Sequence, residues 1–215
     1  MSLLIMIKRI RFDDVLWDSA DVKMKGRELH QLKKHINWCE GLNVQLSPAV
    51  LCQDIEKFPE GIEYIKQGTK DGLFYPDLHG WTHGPYGTLT EKEVLEHLEQ
   101  AMEWFDKRLN CTPIRWVTPH GANTNEMQFA ARKFGLIIED TTPPVVDQKR
   151  ADSILRETRD PSKLDGSVIM VHYWERGLRL YRIAQILKHG TVDKAIAVSR
   201  EELDERSWKI CWNGW

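Results

Sequence analysis

The sequence lacks three features that would assign it to a specialised class of protein. Its 30 Lys and Arg are balanced by 32 Asp and Glu, for a formal net charge of −2, which argues against the basic surface of a nucleic-acid-binding protein. The four cysteines, Cys39, Cys52, Cys111 and Cys211, include no Cys-x-x-Cys pair and are expected to be free thiols. No apolar run is long enough to span a membrane. We therefore expect a globular protein with neither a nucleic-acid partner nor a membrane span.

Linkers and low-complexity segments are also missing. The 215 residues are therefore expected to fold as one domain over 1–215, with a tryptophan-rich tail at about 200–215. The apolar start, Leu3–Ile7, is five residues long and runs into Lys8 and Arg9 without a small-residue cleavage site, unlike a signal peptide. We expect a cytoplasmic protein, whose oligomeric state the sequence leaves open.

Short apolar runs alternate with helical patterns along the chain. The strands are predicted at residues 3–12, 43–51, 72–78, 115–118, 136–139, 167–173 and 191–198. Helices are predicted at 26–40, at 56–67, after a capping-box spacing at Thr90 and Glu93, around 127–134, and at 176–188. This alternation indicates parallel βαβ units. About seven units in one short α/β domain favour a distorted or incomplete (β/α) barrel over an open sheet.

Polar residues lie where four of the predicted strands end and the following loops begin: Asp13-Asp14, His79, Thr118-Pro119-His120 and His172. In a parallel barrel these ends meet on one face, where active sites lie. The pair His79 and His83 offers two imidazoles four residues apart, and one Asp would supply a third ligand to a divalent metal such as zinc. With the second Asp as a base, the set is typical of a metal-dependent hydrolase.

The same segments, taken in order, resemble the polysaccharide deacetylase family, carbohydrate esterase family 4. The family's four motifs have matches spread over roughly residues 5 to 173: Phe12-Asp13-Asp14, His79-Gly80-Trp81-Thr82-His83, Pro119-His120-Gly121 and Met170-Val171-His172. The resemblance implies a single catalytic domain with a distorted (β/α) barrel. It also implies removal of N- or O-acetyl groups from carbohydrate with the help of a divalent metal.

The resemblance also implies a role for each matched residue. The metal, Zn²⁺ first and Co²⁺, Mn²⁺ or Ni²⁺ as alternatives, would be bound by Asp14, His79 and His83. Asp13 would be the general base and His172 the general acid, and the backbone N–H of His120 would help to hold the oxyanion. Nine Trp is a high count, and we predict that Trp81 and Trp174, beside these residues, are walls of an acetyl pocket.

Several positions depart from the family pattern. Val117 stands where the family has an Arg that holds the base carboxylate, and Arg115, on the same face of its strand by the period-2 rule, is a candidate replacement. Gly80 stands where the family has a Ser or Thr that supports the second His, and Thr82 is a candidate for that support. Asp140 is a candidate for the Asp that orients the catalytic His.

We therefore predict a metal-dependent hydrolase that removes an acetyl group from an N-acetylated sugar, in cytoplasmic surface-glycan metabolism. Two alternatives remain open. One is hydrolysis of another non-peptide C–N bond, in a cyclic amide or ureide, and the other is a non-catalytic carbohydrate-binding relative. Taken alone, each motif could also have a purely structural role without metal binding or catalysis. His79, His83 and His172 would then pack in the core, and Asp13-Asp14 would cap a loop or helix.

Overall fold

The computed structural model describes residues 7–16, 27–140, 145–172 and 178–202. Seven strands form one sheet: β1 (Arg9–Val15), β2 (Gln45–Leu51), β3 (Asp77–Gly80), β4 (Arg115–Val117), β5 (Ile137–Glu139), β6 (Val145–Asp147) and β7 (Val168–His172). Their order across the sheet is β5-β4-β3-β2-β1-β7-β6. Every neighbouring pair is parallel, so the carboxyl ends of all seven strands lie on one side.

Eight α-helices connect or flank these strands: α1 (Glu28–Cys39), α2 (Cys52–Ile55), α3 (Pro59–Lys70), α4 (Glu91–Trp104), α5 (Asn125–Lys133), α6 (Gln148–Thr158), α7 (Leu178–His189) and α8 (Val192–Glu202). A π-helical turn at Phe105–Leu109 extends α4. Within the described ranges, none of the helices has the length and apolar character needed to cross a bilayer.

The sheet curls into a half-barrel. β5 and β6 are its two edges, and no ladder joins them within the described ranges, so the barrel is incomplete. The expectation of an incomplete (β/α) barrel is therefore confirmed, as is the capping box at the start of α4. There the Thr90 side chain accepts a hydrogen bond from the Glu93 backbone N–H, while the Glu93 carboxylate accepts one from the Thr90 backbone N–H.

Strand β1 is buried along its whole length, and its two faces have opposite character. Ile10 and Phe12 belong to the hydrophobic core. Arg9, Arg11 and Asp13 alternate with them and form ion pairs inside the barrel. The period-2 geometry of a strand explains this alternation. One face of β1 therefore stabilises the fold and the other carries charged groups into the barrel interior.

Two segments differ from the predicted elements. The segment 191–198 was predicted as a strand, but its residues from Val192 onward lie in helix α8 instead. Its buried residues, Val192, Ala195 and Ser199, are spaced three and four apart, as a helix packed on one face requires. Strand β6 and helix α6 were not predicted. The predicted tail falls mostly outside the described residues, as do residues 3–6 of the first predicted strand.

Candidate active site

Three predicted metal ligands meet at the carboxyl ends of β1 and β3. Candidate ligand atoms of Asp14, His79 and His83 all lie within 4.8 Å of one another. The Oδ1 atom of Asp14 is 2.7 Å from Nε2 of His79 and 3.1 Å from Nε2 of His83. Residues that are 65 positions apart in sequence thus form one compact cluster of two nitrogens and a carboxylate.

Asp14 reaches this cluster because β1 is irregular at its end. The pairing of β1 with β2 shifts register between Phe12 and Val15, and Asp14 has a φ of 54°, in the left-handed region. Successive side chains of a regular strand point to opposite faces, but this bulge lets Asp13 and Asp14 line the same cavity. Such strained backbone is often found at functional sites.

The contacts of His79 show which of its two ring nitrogens carries a proton and which faces the carboxylate of Asp14. Nδ1 lies 2.6 Å from the carbonyl oxygen of Val117, and because a carbonyl only accepts, Nδ1 carries the proton. Nε2 faces the Asp14 carboxylate at 2.7 Å, and a cation bound between the two would satisfy both groups. Ligand atoms around a tetrahedral zinc with bonds of 2.0–2.1 Å are separated by roughly 3.3 Å. Relative to that spacing, the imidazole nitrogens of His79 and His83 are about 0.6 and 0.2 Å too close to Asp14, so side-chain shifts of under about 1 Å would let these residues fit such an ion.

The surroundings of Asp14 keep its carboxyl ionised. Burial alone raises the pKa of Asp14, but hydrogen bonding and electrostatic attraction from His79 and His83 outweigh burial and hold the pKa well below its ordinary value. An ionised carboxylate is the form that binds a metal. The electrostatics of the cluster therefore agree with a ligand role for Asp14.

Arg11 holds the carboxylate of Asp13. Its Nε and Nη2 atoms donate to the two oxygens of Asp13 at 2.7 and 2.8 Å, and Nη1 donates to Glu139 at 2.9 Å. Burial lowers the pKa of Arg11, whereas Asp13 and Glu139 raise it, and the net shift is upward. The candidate replacement Arg115 instead contacts Asp77, at 3.4 Å. The guanidinium beside the predicted base therefore comes from β1 and not from β4.

Further ion pairs extend from this site through the barrel interior. Arg9 pairs with Asp77 at 2.7 Å and also with Glu139, so three strands that are not all neighbours are joined across the interior. Burial raises the pKa of Asp77 to about 6, against the opposing charges of Arg9 and Arg115. Sequence reasoning missed Arg9, Arg11, Asp77 and Glu139. The signal that could have found Arg9 and Arg11 is the alternation of charge with apolar residues in β1.

A cavity of about 340 Å³ opens beside the cluster. It is lined by Arg11, Asp13, Asp14, His79, His83, Thr118, His120, Gly121, Glu139, Asp140, Met170 and His172. The half-buried His172 enters from β7, with Nε2 4.0 Å from Oδ2 of Asp14. His120 has a φ of 57°, and its ring centroid lies 4.5 Å from that of His83. The predicted metal ligands, base, acid and oxyanion residue therefore share one cavity.

Other predicted site residues are placed differently. Trp81 is half-buried against the hydrophobic core and is not among the described residues that line this cavity. Trp174 lies outside the described residues. Asp140 does line the cavity, where it accepts a hydrogen bond from Asn123 at 3.1 Å. A role for Asp140 in orienting His172 stays a prediction.

Comparison with known proteins supports the motif resemblance. Residues 45–138 match the family model described as polysaccharide deacetylase, and no curated protein matches the chain. Among solved structures, a family 4 carbohydrate esterase from Streptomyces lividans is 12% identical, with 93% of this chain and 91% of that chain covered and a TM-score of 0.61. The peptidoglycan deacetylase PdaC from Bacillus subtilis is 16% identical, with 99% and 100% covered and a TM-score of 0.61.

The same fold is also found in a protein described as a pseudoenzyme. BA3943 of Bacillus anthracis, a family 4 pseudoenzyme, is 16% identical, with 94% of this chain and 63% of that chain covered and a TM-score of 0.52. The likeness to these structures therefore concerns the fold. The resemblance of this chain to the polysaccharide deacetylase family is confirmed, by the family model over residues 45–138 and by the shared fold over nearly the whole chain.

Proposed function

We propose that this protein is a metal-dependent hydrolase that removes the acetyl group from an N-acetylated sugar. One observation carries the proposal. The cluster of Asp14, His79 and His83 lies in the same cavity as the Arg11-bound carboxylate of Asp13 and the imidazole of His172. Amide hydrolysis needs a site for a metal, a base and an acid around one small space, and this cavity holds a candidate for each.

Asp14, His79 and His83 would hold the metal. Two imidazole nitrogens and a carboxylate oxygen form a ligand set that zinc accepts while keeping a position open, and Co²⁺, Mn²⁺ and Ni²⁺ are alternatives. A bound divalent cation supplies Lewis-acid chemistry, which polarises a carbonyl oxygen and acidifies water. The hydrogen bond from Nδ1 of His79 to the carbonyl oxygen of Val117 would fix the orientation of the imidazole ring, as is usual for metal-binding His.

Asp13 would act as the general base. While it accepts hydrogen bonds from Arg11, each carboxylate oxygen keeps a second lone pair that can accept a proton. A positioned base of this kind typically contributes roughly 10²–10⁴-fold to a rate. The two-point contact with Arg11 also limits rotation of the carboxylate, so its free lone pairs keep a defined direction.

His172 and His120 would act on the other reacting atoms. His172, from β7, would donate a proton to the departing amine nitrogen. The backbone N–H of His120 would donate to the oxyanion, a contribution of roughly 3 kcal/mol for one such donor. The left-handed conformation of His120 belongs to the tight turn Pro119–Gly121, which brings this part of the chain to the cavity wall.

Acetate release tests the proposal. The purified protein is incubated with N-acetylglucosamine oligomers and other acetylated sugars, before and after chelation and re-addition of Zn²⁺, beside Asp13→Asn, His172→Ala and the surface control Lys92→Ala. We expect acetate from the wild type and the control, loss on chelation, recovery with Zn²⁺, and little from the two site variants. Acetate release by a metal-free protein would contradict the assignment of Asp14, His79 and His83 as metal ligands, and would leave open the alternative of a relative that works without a metal. Inertness of every form across the panel would favour a non-catalytic binding protein.

We further propose that the substrate is a cytoplasmic precursor in surface-glycan synthesis, such as a nucleotide- or lipid-linked sugar. Cys39, Cys52 and Cys111 are free thiols in the structure, which agrees with a reducing compartment. Fractionation of cells that express the protein tests this setting, and recovery of the protein outside the cytoplasmic membrane would contradict it.

A further inference from the structure

The two imidazole ligands are joined by a short segment that is not helical. His79 lies in β3, whereas Trp81, Thr82 and His83 form a bend after the strand ends. In a helix, a spacing of four residues alone would bring two side chains together on one face. Here the position of His83 relative to His79 depends instead on whatever fixes the backbone of residues 80–82.

The hydroxyl of Tyr86 binds this backbone. It accepts a hydrogen bond from the backbone N–H of Trp81 at 2.8 Å, and on the other side of the segment the carbonyl of Trp81 accepts one from Gln53 at 2.9 Å. Burial raises the pKa of Tyr86 to about 12, although hydrogen bonds from the backbone of Trp81 and Thr82 act against the rise. The phenol is therefore a buried, neutral acceptor for the segment between the ligands.

The Tyr86 ring is itself held in place. The residue is completely buried, and its ring packs edge-on against Trp116 and His97, with centroid distances of 5.3 and 5.5 Å. Its own backbone N–H donates to the carbonyl of Gly84 at 2.9 Å. The hydroxyl therefore has little freedom to leave the segment that it binds.

Gly80 and Tyr86 fit each other closely. Gly80 has a φ of +143°, and a Cβ atom at this position would lie 2.9 Å from the Tyr86 hydroxyl and 3.0 Å from the carbonyl oxygen of Thr82. Contacts this short leave no room for a side chain. The position at which the related motif carries a supporting Ser or Thr is thus occupied by the Tyr86 hydroxyl.

We propose that Tyr86 is a positioning residue for the metal site, and that its hydroxyl replaces the side chain missing at Gly80. The inference rests on the metal site of the proposed function. By fixing the Trp81 amide, two residues before His83, Tyr86 sets the direction from which His83 approaches Asp14. Groups that orient metal ligands in this way typically affect metal affinity by roughly 10- to 100-fold.

Metal binding by Tyr86→Phe tests the inference. Zn²⁺ affinity is measured by titration calorimetry, and the Co²⁺ absorption spectrum reports the geometry of the site, in the wild type, Tyr86→Phe and two controls. Tyr64→Phe removes a phenol that packs against Phe74, and Thr124→Ala removes the N-cap of α5. We expect Tyr86→Phe to bind Zn²⁺ roughly 10- to 100-fold more weakly with an altered Co²⁺ spectrum, and both controls to match the wild type.

The outcomes separate the two proposals. Wild-type affinity in a folded Tyr86→Phe protein would overturn the inference and leave the proposed function standing. Failure of the wild type to bind any divalent metal would overturn both. If Tyr86→Phe does not fold, hydrogen exchange of the Trp81 amide in the wild type decides, since protection supports the inference and exchange at the rate of an unstructured peptide overturns it.

Discussion

Arg11 and Asp13, two residues apart on β1, meet side chain to side chain inside the barrel. The guanidinium binds both carboxylate oxygens, at 2.7 and 2.8 Å, and only about 1% of the Arg11 side chain is exposed. Because residues i and i+2 of a strand point the same way, this contact needs no contribution from another strand. A single strand thus carries both the predicted base and the group that holds it.

We expect Arg11→Lys to lower the rate of acetate release roughly 10- to 100-fold, part of what a positioned base contributes. Lysine keeps the charge but loses the planar fork that binds two oxygens. Arg115→Lys is the matched control, since Arg115 contacts Asp77 rather than Asp13. Steady-state measurement of kcat compares the two, and an equal loss in both variants would contradict this assignment.

Glu139→Gln is expected to lower the free energy of unfolding by about 3 kcal/mol, because removal of one partner leaves buried charge uncompensated. Glu139 accepts hydrogen bonds from both Arg9 and Arg11. These ion pairs link edge strand β5 to β1. Urea unfolding measures the loss. The control is Glu103→Gln, on the exposed face of α4, where the pair with Lys107 is worth less than about 1 kcal/mol. Similar losses in both variants would show that the buried network adds no stability.

The left-handed backbone of Asp14 predicts a difference between two substitutions. At a φ of 54°, Asp14→Gly should be more stable than Asp14→Ala by about 1 kcal/mol, since only glycine adopts this conformation without a Cβ penalty. Both variants lose the carboxylate and should lose metal binding. Thermal unfolding without metal compares their stabilities, and an alanine variant as stable as the glycine variant would remove the case for backbone strain at residue 14.

Cys111 should react slowly with thiol reagents at neutral pH. Burial raises its pKa to about 11, so at pH 8 roughly one thiol in a thousand is the reactive thiolate. The rate of modification should therefore rise steadily as the pH approaches 11. Iodoacetamide labelling followed by peptide mass spectrometry measures it, with the denatured chain as the reference. Labelling of the folded protein at pH 8 as fast as the reference would disprove the prediction.

Much of the fold could be predicted from local pattern. The helices around 26–40 and after Thr90 have strong apolar periodicity and clear ends, and they are confirmed as α1 and α4. Three-residue strands carry too little pattern to be predicted consistently, since β4 and β5 were expected and β6 was missed. The segment 191–198 was predicted as a strand, but the three- and four-residue spacing of the buried Val192, Ala195 and Ser199 favours a helix.

The amino-acid sequence alone determined which chemical groups are available and in what order they reach the strand ends. Motif order and βα alternation are local properties, since side-chain periodicity follows backbone geometry. The tertiary structure decided that Arg11 rather than Arg115 binds Asp13, and that Tyr86 fills the space beside Gly80. Arg11 and Arg115 both lie on the strand face that the period-2 alternation of side chains predicts for a partner of Asp13. That alternation alone therefore could not show which of them binds Asp13. Distances across the barrel depend on strand register and sheet curl, which arise from contacts throughout the domain.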